Sequence, residues 1–364
     1  MKSNHNSLTT LALQKFKKNL TGVFSFWFVV VCGFIAIFAY LLAPDNSSNA
    51  NQMHLEIHSK KPGFEVLMLT IPSENELSQS YFNKLFFGSR NQQTEIPISN
   101  YSTSNKTLTI QTYVENNAES LTKSYPLELF KNNDISNYIK IKKFYLGTDK
   151  YGRDLLSRML VGTRISFFIG FIAVFISLVI GISIGAIAGY FGGKIDALIM
   201  WLINITWSIP TLLLVIAITL ALGKGYWQVF IAVGLTMWVE VARVVRGQVM
   251  STKEMQYVEA AKALGFSNFR IIFNHILPNI MAPVIVISAA NFAGAILIES
   301  GLSFLGIGAQ PPTPSWGAMI KDHYSYIILG KAYLAIIPGL AIMSLVMAFM
   351  LIGNALRDAL DVKG

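Results

Sequence analysis

Long apolar blocks alternate with shorter polar ones along this chain. Residues 1–20 are polar, with Lys15, Lys17 and Lys18 just ahead of an apolar run at 21–42. That run exceeds the about 20 residues a helix needs to cross a bilayer. It is also longer than the roughly 7–15-residue core of a cleaved signal peptide, and Ala39-Tyr40-Leu41 is a poor cleavage pattern, so an uncleaved span is expected. Further runs follow at 165–190, 197–222, 227–243, 280–305 and 332–352. The pattern predicts an all-α polytopic membrane protein with six spans, the third kinked at Pro210. Gly181, Gly185 and Gly189 recur on one face of the second span, which suits close helix packing.

Residues 44–145 break this rhythm. They are rich in Asn, Ser, Thr and Lys and contain no span. Phe64–Ile71 and 107–114 read as strands, the second alternating through Leu108, Ile110, Thr112 and Val114. Turn residues flank them, at Lys61-Pro62-Gly63 and from Ser102 to Asn105. A small β-containing insert is therefore expected. The lysine cluster before the first span puts the N-terminus in the cytoplasm and this insert outside. His54, Glu56 and His58 fall on one face of an expected strand, read as a solvated face rather than a metal site. The chain thus divides into 1–43, an insert at 44–145, and a transmembrane part at 146–364.

Composition narrows the class. Hydrophobic residues make up 53% and charged residues 13%, against about 25% charged in a soluble domain. The net charge of +9 is spread over short loops, where it sets topology, and no basic-aromatic groove suggests nucleic acid. Cys32, the single cysteine, excludes an intramolecular disulfide. No phosphate-cradling G-x-x-x-x-G-K-[ST] segment, no Ser/His/Asp set and no metal-ligand spacing is present, so no catalytic residue, cofactor or metal is expected. Glu240 and Arg243, one turn apart near the end of the fourth run, are expected to pair because charge at membrane depth is costly.

The decisive stretch is 257–278, a polar helix-forming elbow between two spans. Val258, Ala261 and Leu264 share one helical face, while Gln256, Glu259 and Lys262 turn away. Gly265 stops this helix, Ser267 caps a second one at 268–277, and Pro278 hands over to the next span. Ala260 and Ala261 are small enough for close docking.

Glu259-Ala260-Ala261, Gly265 and Leu277-Pro278 resemble the EAA-x3-G-x9-I-x-L-P signature of ABC importer permeases, with His275 where the pattern has Ile. Three further blocks resemble the C-type permease subunit of dipeptide, oligopeptide and nickel importers. They are L-G-T-D-K-Y-G-R-D-L-L-S-R from Leu146, with Thr148 or Asp149 as a helix cap; the run from Glu299 to Gly317; and the run from Leu356 to Asp361. Val362 and Asn354 depart from the last pattern. The resemblance implies a permease half of an ATP-driven importer in a bacterial inner membrane, with both termini cytoplasmic. It implies a second permease subunit, two ATPase subunits or domains and an extracytoplasmic binding protein, with a peptide as cargo and nickel as the alternative. It implies ATPase coupling at Glu259, Ala260, Ala261, Gly265, Leu277 and Pro278, within an elbow at 253–278. Asn291 and Glu299 stand as translocation-path residues. An ion-driven secondary transporter would want acidic or histidine residues deep in several spans, where only Glu240 and Glu299 qualify. A membrane-anchored sensor working through its insert would not need the elbow.

Overall fold

The computed structural model describes residues 8–72, 79–90, 94–104, 106–115, 120–130 and 134–360. In chain order the helices are α1 (Leu8–Lys18), α2 (Leu20–Leu42), α3 (Tyr81–Phe87), α4 (Leu155–Phe191), α5 (Gly193–Ser208), α6 (Thr211–Leu222), α7 (Tyr226–Thr252), α8 (Gln256–Ala263), α9 (Asn268–Arg270), α10 (Met281–Leu305), α11 (Trp316–His323) and α12 (Tyr333–Leu360). The strands are β1 (Phe64–Ile71), β2 (Thr94–Ser104), β3 (Thr107–Thr112), β4 (Thr122–Pro126) and β5 (Ile139–Phe144). Two compact units emerge: 1–33 with 166–310 and 340–364, and 34–165 with 311–339.

Among the described residues, five helical runs are long and apolar enough to cross a membrane: Leu20–Leu42, Leu155–Phe191, Tyr226–Thr252, Asn268–Leu305 and Tyr333–Leu360. The expected third span is not a kinked helix but a broken one. α5 and α6 meet at 92°, and their 16 and 12 residues reach only about 24 and 18 Å, short of a roughly 30 Å hydrocarbon core. Pro210 is the cause: it forces Ile209 into extended backbone (φ −90°, ψ 127°) and offers no N–H of its own. Counted as one span, the bent pair makes six.

Within the first unit, α4 packs on α7 through its glycine face. A Cβ at Gly181 would lie 2.6 Å from Val241 Cβ, and one at Gly189 would lie 2.7 Å from the Arg246 carbonyl. Only glycine allows that approach. Val241, Val245 and Val249 of α7 continue this core into Val258, Ala261, Ile271 and Ile276. Asp196 of α5 closes a bidentate pair with Arg246 of α7, at 2.5 and 2.6 Å.

The second unit holds a five-stranded antiparallel sheet in the order β4-β3-β2-β1-β5. β1 pairs with β2 and β5 and contributes to a core on each face of the sheet. Leu69 joins Ile98, Leu108, Ile110 and Phe130 on one side, and Val66 and Met68 join Ile57 and Phe144 on the other. β1 has the bounds expected, whereas β3 stops at Thr112, short of Val114. Asn105, in the expected turn before β3, lies outside the described residues, as do His5, Asp361 and Val362.

Other expectations need correction. His54, Glu56 and His58 lie on no strand; Leu55–Ile57 is a 3₁₀ turn, and His54 is buried beside Glu95, 3.9 Å from its carboxylate. Burial and the nearby Lys142 ammonium lower the His54 pKa, which keeps the ring neutral. The end of the lead-in block, from Leu155, and the second span form one helix, α4, of 37 residues. Its cap is Asp154, whose Oδ2 accepts from the Ser157 N–H at 2.9 Å. Thr148 instead ties the loop before β1, accepting from Lys60 N–H at 2.9 Å. Asp149 is fully buried and accepts from Arg153 Nε at 2.7 Å.

Candidate functional site

The elbow is built on a left-handed glycine. Gly265 has φ +77°, a conformation a side chain makes costly, so α8 ends and the chain reverses. Ser267 then caps α9, its Oγ accepting from the Arg270 N–H at 3.4 Å. The helical path does not stop where expected: 271–276 is wound as π-helix, Leu277–Ile280 tightens to 3₁₀, and α10 follows without a gap. Pro278 enters the first turn of the 3₁₀ segment, where its missing N–H costs little.

α8 holds the body of the molecule with Val258 and Ala261, both buried, and turns Glu259 and Ala260 outward. Ala260 and Ala261 therefore do different jobs, the second packing inward rather than facing a partner. Leu264 corrects the expected apolar face: it lies beyond the end of α8 and is 73% exposed. Phe269 and Phe273 are also exposed and lie against one another at 4.3 Å. Sequence reasoning missed this patch, although the i, i+4 spacing of two phenylalanines in a polar island is its signal. His275, expected on the surface, is half-buried and stacks on Phe266, whose other neighbour is the Arg270 guanidinium at 4.2 Å. Leu277 is partly buried and Pro278 exposed.

Two hydrogen bonds anchor this region to α4. Tyr190 Oη of α4 donates to Asn268 Oδ1 at 2.8 Å, and Lys253 Nζ donates to the Gly189 carbonyl at 3.1 Å. These two bonds tie the elbow and the end of α7 to α4.

The same unit contains a cavity of about 310 Å³ at the α5–α6 break. Trp207, Thr211, Met237, Glu240, Asn291 and Ile298 help to wall it. Asn291 is buried and its Nδ2 has no hydrogen-bond partner. The expected Glu240–Arg243 pair is absent among the described residues. Arg243 instead stacks on Trp207 at 3.6 Å and reaches Asn204 Oδ1 at 3.3 Å, because α5 packs beside α7 and presents both to it. Glu299 does not line this cavity. It is fully buried, and Ser303 Oγ donates to its Oε1 at 2.7 Å while accepting from the Ala309 N–H at 3.1 Å.

The helices and the elbow between them belong to a transport subunit, the permease of an ABC importer, as comparison with known proteins shows. Residues 181–363 match the family described as binding-protein-dependent transport system inner membrane component, and residues 7–62 match the N-terminal membrane domain of oligopeptide transport permease C. The chain belongs to that family of multi-pass inner-membrane proteins, whose role implies a partner ATPase and a binding protein. It is 43% identical, over 60% of its own length and 72% of the relative's, to a dipeptide transport system permease protein of Alkalihalophilus pseudofirmus. A glutathione transport system permease protein of Pectobacterium atrosepticum is 38% identical over the same shares. A dipeptide transport system permease protein of Bacillus subtilis is 42% identical, over 60% of this chain and 68% of that protein.

Proposed function

We propose that this chain is one half of a permease heterodimer that admits di- or oligopeptides, driven by two ATPase subunits or domains and supplied by an extracytoplasmic binding protein. The observation that carries this reading is the elbow. Glu259, Ala260 and the Leu264–Phe269–Phe273 patch face outward around the fixed Gly265 turn. Closure of the ATPases pushes this surface, and its anchors convert the push into rocking of α4, α7 and α10 between inward- and outward-open states. Ala261 and Leu277 hold the elbow to the body, and Pro278 sets the start of the span that follows.

The lysines before α2 favour cytoplasmic termini and an external insert. Cysteine placed at the exposed Ser104 reacts with a membrane-impermeant reagent in intact spheroplasts under this topology, and protection there would overturn it. Asn291, with its unpartnered amide on the cavity wall, suits a passing peptide carbonyl, and Glu299 lies two turns further along the same helix. The names of the relatives favour peptides over nickel.

Uptake of labelled di- and tripeptides, alongside nickel, in cells with and without the gene tests the cargo. Loss of peptide uptake alone is expected. Loss of nickel uptake alone would keep the mechanism and replace the cargo.

A further inference from the structure

We infer that α3 of the insert lies in the headgroup layer of the membrane with its aromatic face in the lipid, so that the insert is fastened to the bilayer surface at a second point beside the spans. This rests on the chain being a membrane protein and not on its cargo or coupling.

Four of the seven residues of α3 are exposed aromatics: Tyr81 (64%), Phe82 (70%), Phe86 (45%) and Phe87 (63%). Leu85 is its buried residue. A water-facing surface rarely concentrates rings this way, whereas interfacial helices and aromatic belts do. The helix is also held at the right depth. Arg164 of α4 donates to the Phe86 carbonyl at 2.7 Å, and its guanidinium lies 5.1 Å from the Tyr40 ring. Beyond Arg164 no charged residue occurs until Lys194. The helical part of that uncharged stretch, from 165 to 191, spans about 40 Å, the thickness of a bilayer with its headgroups. Arg164 therefore sits where the headgroups begin. Tyr40, in the last turn of α2, marks the same level from a second span. Gly88 at the end of α3 abuts it, since a Cβ there would come within 2.9 Å of the Tyr40 ring.

Charge agrees with lipid as the occupant. Between residues 79 and 92 the charged residues are Lys84 and Arg90, with no acidic side chain, a bias that suits anionic headgroups. A protein partner would need no such match of depth.

At about 100° per residue, Asn83 falls between Phe82 and Phe86 on one side and Phe87 on the other, and it is exposed. The test is the full chain in phosphatidylcholine–phosphatidylglycerol vesicles, with Cys32→Ser and Asn83→Cys carrying an environment-sensitive fluorophore. All four rings remain in place. The control label sits at Ser124→Cys on β4. The Asn83 label is expected to emit to the blue and to be quenched by bromolipids at least about threefold more than the control, as an interfacial helix would be. Adding Phe82→Ser and Phe86→Ser should remove most of that difference. Equal quenching at the two positions overturns the inference. So does a label that becomes shielded only when partner subunits are added, which would assign the face to a protein.

Discussion

The elbow and the insert are both polar-looking islands between spans, and they dispose of their apolar residues in opposite ways. The sheet of the insert turns its own inward, with Leu69, Ile98, Leu108 and Ile110 fully buried, while the rings of α3 stay outside that core. At about 1.5–3 kcal/mol for each such side chain, it has a core of its own. The elbow puts only Val258, Ala261 and its isoleucines inside, and leaves Leu264, Phe269 and Phe273 in solvent. A segment that exposes rings in this way is shaped by something outside itself. The family matches end at 62 and resume at 181, so the sheet, together with the first part of α4, lies outside both.

Removing the turn should break the elbow most completely. Gly265→Pro demands φ near −65° where the backbone has +77°, and it deletes the N–H that donates to the Lys262 carbonyl at 2.9 Å. Peptide uptake is expected to fall by about 100-fold or more, because misplacing a coupling surface costs far more than the local strain of a few kcal/mol. The protein should still be found in the membrane at near-normal amounts. Unchanged uptake would end the coupling assignment. Gly265→Ala is the graded version, costing about 1–2 kcal/mol.

Next in size is the outward patch. Phe269→Ala with Phe273→Ala removes exposed rings and leaves the fold untouched, so any loss belongs to the interface. Affinity for the ATPase, measured on detergent-purified subunits, should weaken about 10- to 100-fold, the range of a hot-spot pair. No change would mean that the ATPase sits elsewhere.

The insert should answer differently. Leu108→Ala empties a fully buried position and is expected to destabilise the sheet by about 2–5 kcal/mol. Limited proteolysis within 44–145 should quicken while ATPase affinity stays unchanged. A parallel fall in affinity would refute the independence of the two regions.

How much of this was legible in one dimension depends on how local the cause is. β1 was readable because strand alternation and its flanking turn are both local, and Gly265 because a helix stop is local. The apolar run begins only at 165, whereas the helix already begins at Leu155 and carries Arg158 and Arg164 into the span, a continuity that hydropathy does not show. Leu264 was misplaced because the helical period was carried one residue past the end of α8. Arg243 finds a different partner because i, i+3 spacing is visible in a sequence, whereas the packing of α5 on α7 that presents Trp207 and Asn204 is not. Pro210 announced an interruption without its angle.

The smallest expected effect separates the regions by pH. His54 sits in the insert, buried, with Lys142 and burial both opposing its protonation and Glu95, Glu56 and Asp45 favouring it. The first pair prevails, so the folded-state pKa lies below the ordinary 6.5. In the unfolded chain the ring takes a proton more readily, so the unfolded state binds more protons as pH drops, and stability must fall with it. The contribution is complete above 6.5 and is lost as pH decreases through that value toward the lowered one. Protease sensitivity of the insert should therefore rise below pH 6.5 while ATPase affinity through the elbow does not track it. His54→Gln, which keeps a polar side chain but cannot titrate, should flatten the pH response of the insert. A response that survives this substitution would assign it to another group of the unit, foremost His323, whose pKa burial also lowers and which accepts from the Lys150 N–H at 3.4 Å.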